Sequence, residues 1–259
     1  MPEHGDEAES ARVITERCGR VLLIRLHRPS KRNAIDAAMT AALDAAFNEL
    51  DDNPDIWCGV LSGGRHNFCA GTDLIDGPGE PTTRGGRYGV VGRFRTKPLV
   101  AAVEGFAYGG GLELALASDI IVAGRSARFG LPEVTHGVVA NAGALFRAHQ
   151  RLPLNIAKQM LLTGQPLTAD RAHSCGFVND IVDDGTAEQS AIATAEQVAA
   201  NAPAAVQATL RAVDAVVRRD DDRGWALTTE AEEKVRNSND FHEGLLAFRE
   251  KRRARWRGN

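Results

Sequence analysis

A chain of 259 residues, 43% hydrophobic and 25% charged, holds enough apolar material for one large domain or a domain with an appendage, and is not a disordered chain. A formal charge of −3 gives no global basic field for nucleic acid or an anionic membrane, and no apolar run approaches the ~18 residues of a spanning helix. Four scattered cysteines (Cys18, Cys58, Cys69, Cys175) predict reduced thiols in the cytoplasm, and seven histidines without His-x-x-x-His or His-Glu-x-x-His spacing predict no metal site.

The first residues are acidic and polar, the reverse of a secretory leader, and read as a frayed tail over 1–12. Val13 to Thr15 and Val21 to Leu26 are predicted as strands around Cys18-Gly19-Arg20, and Arg28 to Asn33 as a turn. Asp36 then caps a helix with Met39, Leu43, Ala46, Phe47 and Leu50 on one face. Ile56 to Leu61 is the next strand, followed by a glycine-bearing turn ending Cys69-Ala70-Gly71-Thr72-Asp73-Leu74. Residues 76–93, rich in Gly, Pro, Thr and Arg, read as a mobile loop and a lid over an acyl pocket.

Leu99 to Val103 reads as a buried strand running into Gly109-Gly110-Gly111 and a short apolar helix that carries Glu113. A strand at Asp119 to Ala123 and the segment Phe129-Gly130-Leu131-Pro132-Glu133 follow. Helices are predicted near Ala142 to His149 and Leu154 to Leu162, then a short one from Ala169 to Ser174 capped by Thr168. Phe177 to Val182 is the last predicted strand. From Thr186 onward the chain reads as Ala-rich helices, broken at Asn201-Ala202-Pro203 and near Arg223-Gly224. Strands interleaved with helices, then helices alone, predict an α/β core over 13–200 and a helical region over 201–259.

Two glycine turns, each after a strand, can aim main-chain N–H groups at one carbonyl oxygen; equally, each can be a tight turn and nothing more. Glu113 sits in an apolar frame, where an ionised carboxylate is costly unless used. Glu133 follows a proline, as at many helix starts, but two carboxyls in different surroundings also make an acid and a base. Cys69 reads as a small buried cysteine, and His136 as a satisfied or exposed histidine or a lining residue. Lys251, Arg252, Arg253, Arg255 and Arg257 read as a solvated helix face or a polyphosphate clamp. Nucleotide phosphate motifs are absent.

From about Val13 onward the chain resembles the enoyl-CoA hydratase/isomerase (crotonase) family. The matching residues are Arg28-Pro29 with Asn33-Ala34, Phe68 through Leu74, Lys97-Pro98, Glu104 through Ala115, Ala127 through Glu133, Leu162-Thr163-Gly164 and Gly176 through Asn179. The resemblance implies an α/β fold, a crotonase-like spiral of β-β-α units with a helical C-terminal trimerisation region, assembled as a homotrimer or a hexamer of paired trimers. It implies an acyl-CoA substrate with no further cofactor. Glu113 and Glu133 would be the catalytic pair, and the N–H groups of Thr72 and Gly110 the oxyanion hole. Lys31, Ala34, Ala70, Asp73 and Leu74 would lie along the CoA portion.

Hydration is the reaction both glutamates imply; isomerisation, thioester hydrolysis, or a silent CoA- or RNA-binding role are the alternatives. The chain departs from the family's Pro-Gly-x-Gly-Gly pattern at Val139-Ala140-Asn141-Ala142-Gly143-Ala144-Leu145-Phe146, which borders the acyl pocket and leaves the acyl group open. The ending Glu243 to Arg252, with Arg147 and Leu152-Pro153, is similar to the carnitinyl-CoA dehydratase branch.

Overall fold

The computed structural model describes residues 11–258, so the predicted tail lies outside the described residues up to residue 10. Strand β1 (Val13–Cys18) folds back on β2 (Val21–Leu26) through Gly19 at φ +60. Four parallel pairings then extend the sheet through β3 (Cys58–Ser62), β4 (Leu99–Val103), β6 (Ile120–Gly124) and β9 (Asp180–Val182). A second sheet joins β5 (Phe106–Tyr108), β7 (Arg128–Gly130) and β8 (Leu167–Thr168).

The chain is a spiral in which two successive turns give a strand to each sheet, β4 with β5 and then β6 with β7. Val100 pairs with Ile120 in the first sheet, and eight residues later in the chain Arg128 pairs with Phe106 in the second. The turn before contributes Cys69, which bridges to Ala107, and the turn before that contributes Ile35, which bridges to Thr72. Residues just past these pairs therefore fall one above another along the spiral: Thr72, Gly110 and Glu133.

Helix α1 (Ala37–Asp52) starts where Asp36 accepts the Met39 N–H at 2.8 Å, satisfying an otherwise orphaned donor. Met39, Leu43, Ala46, Phe47 and Leu50 all point inward, as their spacing predicts. Helix α2 (Gly110–Leu116) is buried along its whole length. The helices α3 (Ala144–Arg151), α4 (Leu154–Thr163) and α5 (Ala169–Ser174) follow, α5 capped by Thr168. Ala187, Ala191 and Ala195 of α6 (Ala187–Ala199) cover the other face of the first sheet, against Val21, Leu23, Val60, Val100 and Val122. Alternate residues of β2, Leu22, Ile24 and Leu26, enter the main core.

Helices α7 (Pro203–Val217), α8 (Asp221–Arg236) and α9 (Asn239–Arg249) follow, ahead of an irregular stretch to residue 258. Among the described residues no helix is long and apolar enough to cross a membrane.

The structure corrects several expectations. Gly224 does not break a helix: it lies inside α8, where a Cβ would come within 2.5 Å of the Phe146 ring, so its smallness lets α8 pack on α3. The last strand is shorter than Phe177 to Val182 because Phe177 and Val178 turn into the core. The basic C-terminal run is not a helix face, because α9 ends at Arg249, and Arg252 forks onto Glu243.

Residues 76–93 are not a mobile lid. Arg93 is 4% exposed and pairs with Asp44 at 2.7 Å and Asp51 at 3.0 Å. The Thr82 hydroxyl donates to Asp44 at 2.6 Å, and Arg87 pairs with Glu232 of α8 at 2.6 Å. Tyr88, Val90 and Val91 are buried, so the segment is a wall.

Candidate active site

The spiral opens one large cavity, about 620 Å³, along the line of Thr72, Gly110 and Glu133. Its volume lies in the range of small-molecule sites. Two turns form its floor. Cys69 takes the Phe106 carbonyl at 3.0 Å and returns its own carbonyl to the Tyr108 N–H at 3.0 Å, which locks the two glycine turns side by side. Gly71, at φ +101, lies so close that a Cβ there would sit 2.8 Å from the Tyr108 carbonyl and 3.3 Å from the Gly110 nitrogen. Glycine is required here by both conformation and contact. Among the described residues the N–H groups of Thr72 and Gly110 have no main-chain acceptor.

Glu113 and Glu133 both line this cavity. Glu113 is 1% exposed, and its Oε1 accepts the N–H groups of Ala142 at 2.7 Å and Ala144 at 3.0 Å. Those donors come from the stretch that departs from the glycine-rich family pattern. Gly143 between them keeps φ +108, with Arg147 Nη1 3.0 Å from where its Cβ would be. Burial pushes the Glu113 carboxyl up, and the two N–H groups and Arg147 pull it partly back.

Glu133 stands at the start of a 3-10 turn, Glu133–His136, after Pro132. Its Oε2 is buried with no hydrogen-bond partner among the described residues. Burial first, and the facing Glu113 second, push its carboxyl up as well. One carboxyl has two N–H donors that suit its ionised form, while its neighbour has one oxygen, Oε2, with no partner among the described residues and favours keeping a proton.

Lys31, Ala34, Ala70, Asp73 and Leu74 line the same cavity. The Asp73 carboxylate is already engaged: Arg28 donates to it at 2.7 Å, and the N–H groups of Ile75 and Asp76 at 2.9 and 3.2 Å. That clasp holds its carboxyl below the ordinary range despite partial burial. Asp73 thus shapes the turn and offers little free charge to a ligand. Arg28 and Asn33 belong to the same knot, the Asn33 amide donating to the carbonyls of Gly63, Asn67 and Phe68.

Sequence reasoning missed Tyr88 and Phe248. The composition of residues 76–93 puts Tyr88 in a mobile loop, but it lines the cavity with its hydroxyl 2.8 Å from Thr72 Oγ1. Its backbone lies at φ +57, a left-handed conformation that costs a non-glycine residue on the order of 1 kcal/mol. No composition signal marks it. His136 lines the cavity too, edge-on to Phe248 with ring centres 5.5 Å apart, so α9 reaches the site. Cys69 is buried, with burial pushing its thiol up to about 12, and is no nucleophile.

The model of the enoyl-CoA hydratase/isomerase family matches residues 16–259. An enoyl-CoA hydratase of Mycobacterium tuberculosis, EchA19, is 37% identical over 250 residues, covering 93% of this chain and 94% of that one. A carnitinyl-CoA dehydratase of Proteus mirabilis is 38% identical over 251 residues, covering 93% and 96%. Among solved structures, a carnitinyl-CoA hydratase of Mycobacterium avium superposes with a TM-score of 0.90 at 39% identity, covering 96% of this chain and 99% of that one.

Proposed function

The chain belongs to the enoyl-CoA hydratase/isomerase family, and from that membership we propose that its cavity adds water reversibly across the double bond of a 2-enoyl-CoA. The observation that carries this reading is the meeting of two buried carboxyls, Glu113 and Glu133, beside two main-chain N–H groups that lack main-chain acceptors among the described residues.

The N–H groups of Thr72 and Gly110 hold the thioester oxygen as negative charge grows on it. Two such preset donors act where the charge develops, and each is worth about 10²–10³ in rate. Glu113, whose ionised form has two N–H donors, takes a proton from the water that attacks the β-carbon. Glu133, whose buried oxygen has no donor among the described residues, gives its proton to the α-carbon. In the reverse direction the roles exchange and water leaves, which is the direction named for the dehydratase relative.

CoA enters as part of the substrate, and no further cofactor is needed for this chemistry. Lys31, Ala34, Ala70, Asp73 and Leu74 border its path. The chain works as a homotrimer or a hexamer of paired trimers, in the cytoplasm, with neither nucleic acid nor membrane as partner. In support of assembly, α7 exposes Val213, Val216 and Val217 on one face.

Incubation with crotonyl-CoA tests the reaction. Loss of the enoyl absorbance without thiol release is expected. Glu113→Gln and Glu133→Gln should each lower the rate by about 10²–10⁴ with thioester binding kept. Free thiol release, or a shifted double bond with no water added, would replace hydration by hydrolysis or isomerisation in the same site.

A further inference from the structure

Tyr88 takes no part in the proton transfers above, yet it touches both residues that carry the amide donors. Its Oη is 2.8 Å from Thr72 Oγ1. A Cβ built on Gly110 would meet the same Oη at 2.8 Å and the ring carbons Cζ and Cε2 at 2.9 and 3.0 Å. The ring therefore lies against the main chain of Gly110 while its hydroxyl is tied to Thr72. These two residues come from different turns of the spiral, and Tyr88 comes from a third segment that spans them.

The side chain is held firmly. Tyr88 is 3% exposed and keeps φ +57 without being glycine. A strained backbone persists only where its surroundings over-determine it. Here Arg87 is anchored to Glu232 at 2.6 Å, and Gly89 is so close to α1 that a Cβ would lie 2.6 Å from the Thr40 carbonyl. Burial, with Glu113 next, keeps the phenol protonated.

We propose that Tyr88 is a positioning residue of the oxyanion hole, fixing the spacing and aim of the Thr72 and Gly110 N–H groups at the thioester oxygen. The inference rests on the reading of those two groups as the hole. Donors that must reorient during the reaction lose most of their worth, because preorganisation is what they supply. The loss falls on the transition state, so kcat moves and KM does not.

Tyr88→Phe keeps the ring against Gly110 and removes the bond to Thr72. It is expected to lower kcat about tenfold with KM within about threefold. Thr72→Val, which removes the same bond from the other side, should match it, Thr72→Ser, which keeps a hydroxyl for Tyr88, should retain more of kcat than Thr72→Val, and the double variant Tyr88→Phe/Thr72→Val should be no worse than either single. A second readout is independent of turnover: a 4-dimethylaminocinnamoyl thioester of CoA absorbs further to the red when its carbonyl is polarised. Bound to the wild type it should shift strongly, and bound to Tyr88→Phe clearly less, at similar affinity.

An unchanged kcat and an unchanged red shift in Tyr88→Phe overturn the role, as do Thr72→Val and Thr72→Ser that behave alike. If the wild type binds the probe with no red shift at all, the oxyanion hole itself is wrongly placed, and both readings fall. Should Tyr88→Phe melt early, the Thr72 pair carries the test.

Discussion

Gly109 and Glu133 meet across two turns of the spiral: a Cβ on Gly109 would lie 3.3 Å from Glu133 Oε1. Gly109 also donates its N–H to the Gly130 carbonyl at 2.9 Å, three residues before the carboxyl. The first glycine of the triplet therefore sets the height of the Glu133 carboxyl in the cavity.

Gly109→Ala tests that relation. Its φ of +53 disfavours any side chain, and the new methyl would press on the Glu133 carboxyl. The variant should lose about 1–2 kcal/mol of stability and far more activity than that loss explains. Chemical denaturation and crotonyl-CoA hydration measured on one preparation check it. Activity falling only in step with the folded fraction would separate Gly109 from the chemistry.

Glu133 should weaken the fold at neutral pH. Burial and Glu113 raise its proton affinity in the folded chain, so the folded state holds a proton that the unfolded state releases. Its contribution is thus favourable at or below the ordinary glutamate pKa, about 4.3, and declines as pH rises through the raised folded value. Glu133→Gln removes the charge and should raise stability at pH 8 by at least ~1 kcal/mol, about 2–4 °C in Tm, while nearly abolishing turnover. Melting curves from pH 5 to 8 should show a smaller decline in the variant than in the wild type; parallel curves would refute the argument.

Periodic elements were legible because their residues obey local rules. Asp36 and Thr168 cap as their positions in the sequence foretell, and the face of α1 follows from its three-and-four spacing. The two glycine turns and both glutamates were visible as a site only through the resemblance to the family, since by themselves they equally fit tight turns and a helix start. Tyr88 and the wall around it were not. A segment rich in Gly and Arg carries the composition of a loop, and only tertiary partners from α1 and α8 show that it is fixed. No local pattern brings Thr72, Gly110 and Glu133 together, because their stacking follows from registers between strands distant in the chain; only the family resemblance put them in one site. Gly224 misled because a glycine in a helix looks the same in sequence whether it ends the helix or admits a neighbour's ring.

The wall at 76–93 should be an all-or-none part of the fold. Arg93 has 2% of its side chain exposed, and removing it leaves Asp51, 8% exposed, with only the half-exposed Arg84 at 3.8 Å as a cation. Breaking a buried pair from one side costs about 3–5 kcal/mol, so Arg93→Ala should lower stability by at least ~2 kcal/mol. Arg84, 46% exposed against Asp52, should cost under about 1 kcal/mol when made Ala. Urea titrations of both variants decide it. An Arg93→Ala protein as stable as wild type would restore the segment to a loosely attached loop.

The exposed stripe of α7 gives the last expectation. Val213, Val216 and Val217 are 55%, 71% and 47% exposed, and positions three and four apart share one side of a helix. None of the helix's own residues is buried, so this face finds no cover within the described residues of the chain. Three large aliphatic side chains in water forgo about 1.5 kcal/mol or more each, which a neighbouring subunit seated on them would recover. Val216→Asp puts a charge at the centre of that stripe and should shift the assembly from a trimer or hexamer toward monomer, with the far-UV dichroism of the chain retained. Sedimentation equilibrium at micromolar concentration reads the outcome. A variant that sediments as the wild type does would place the subunit contact elsewhere and leave the stripe to another role.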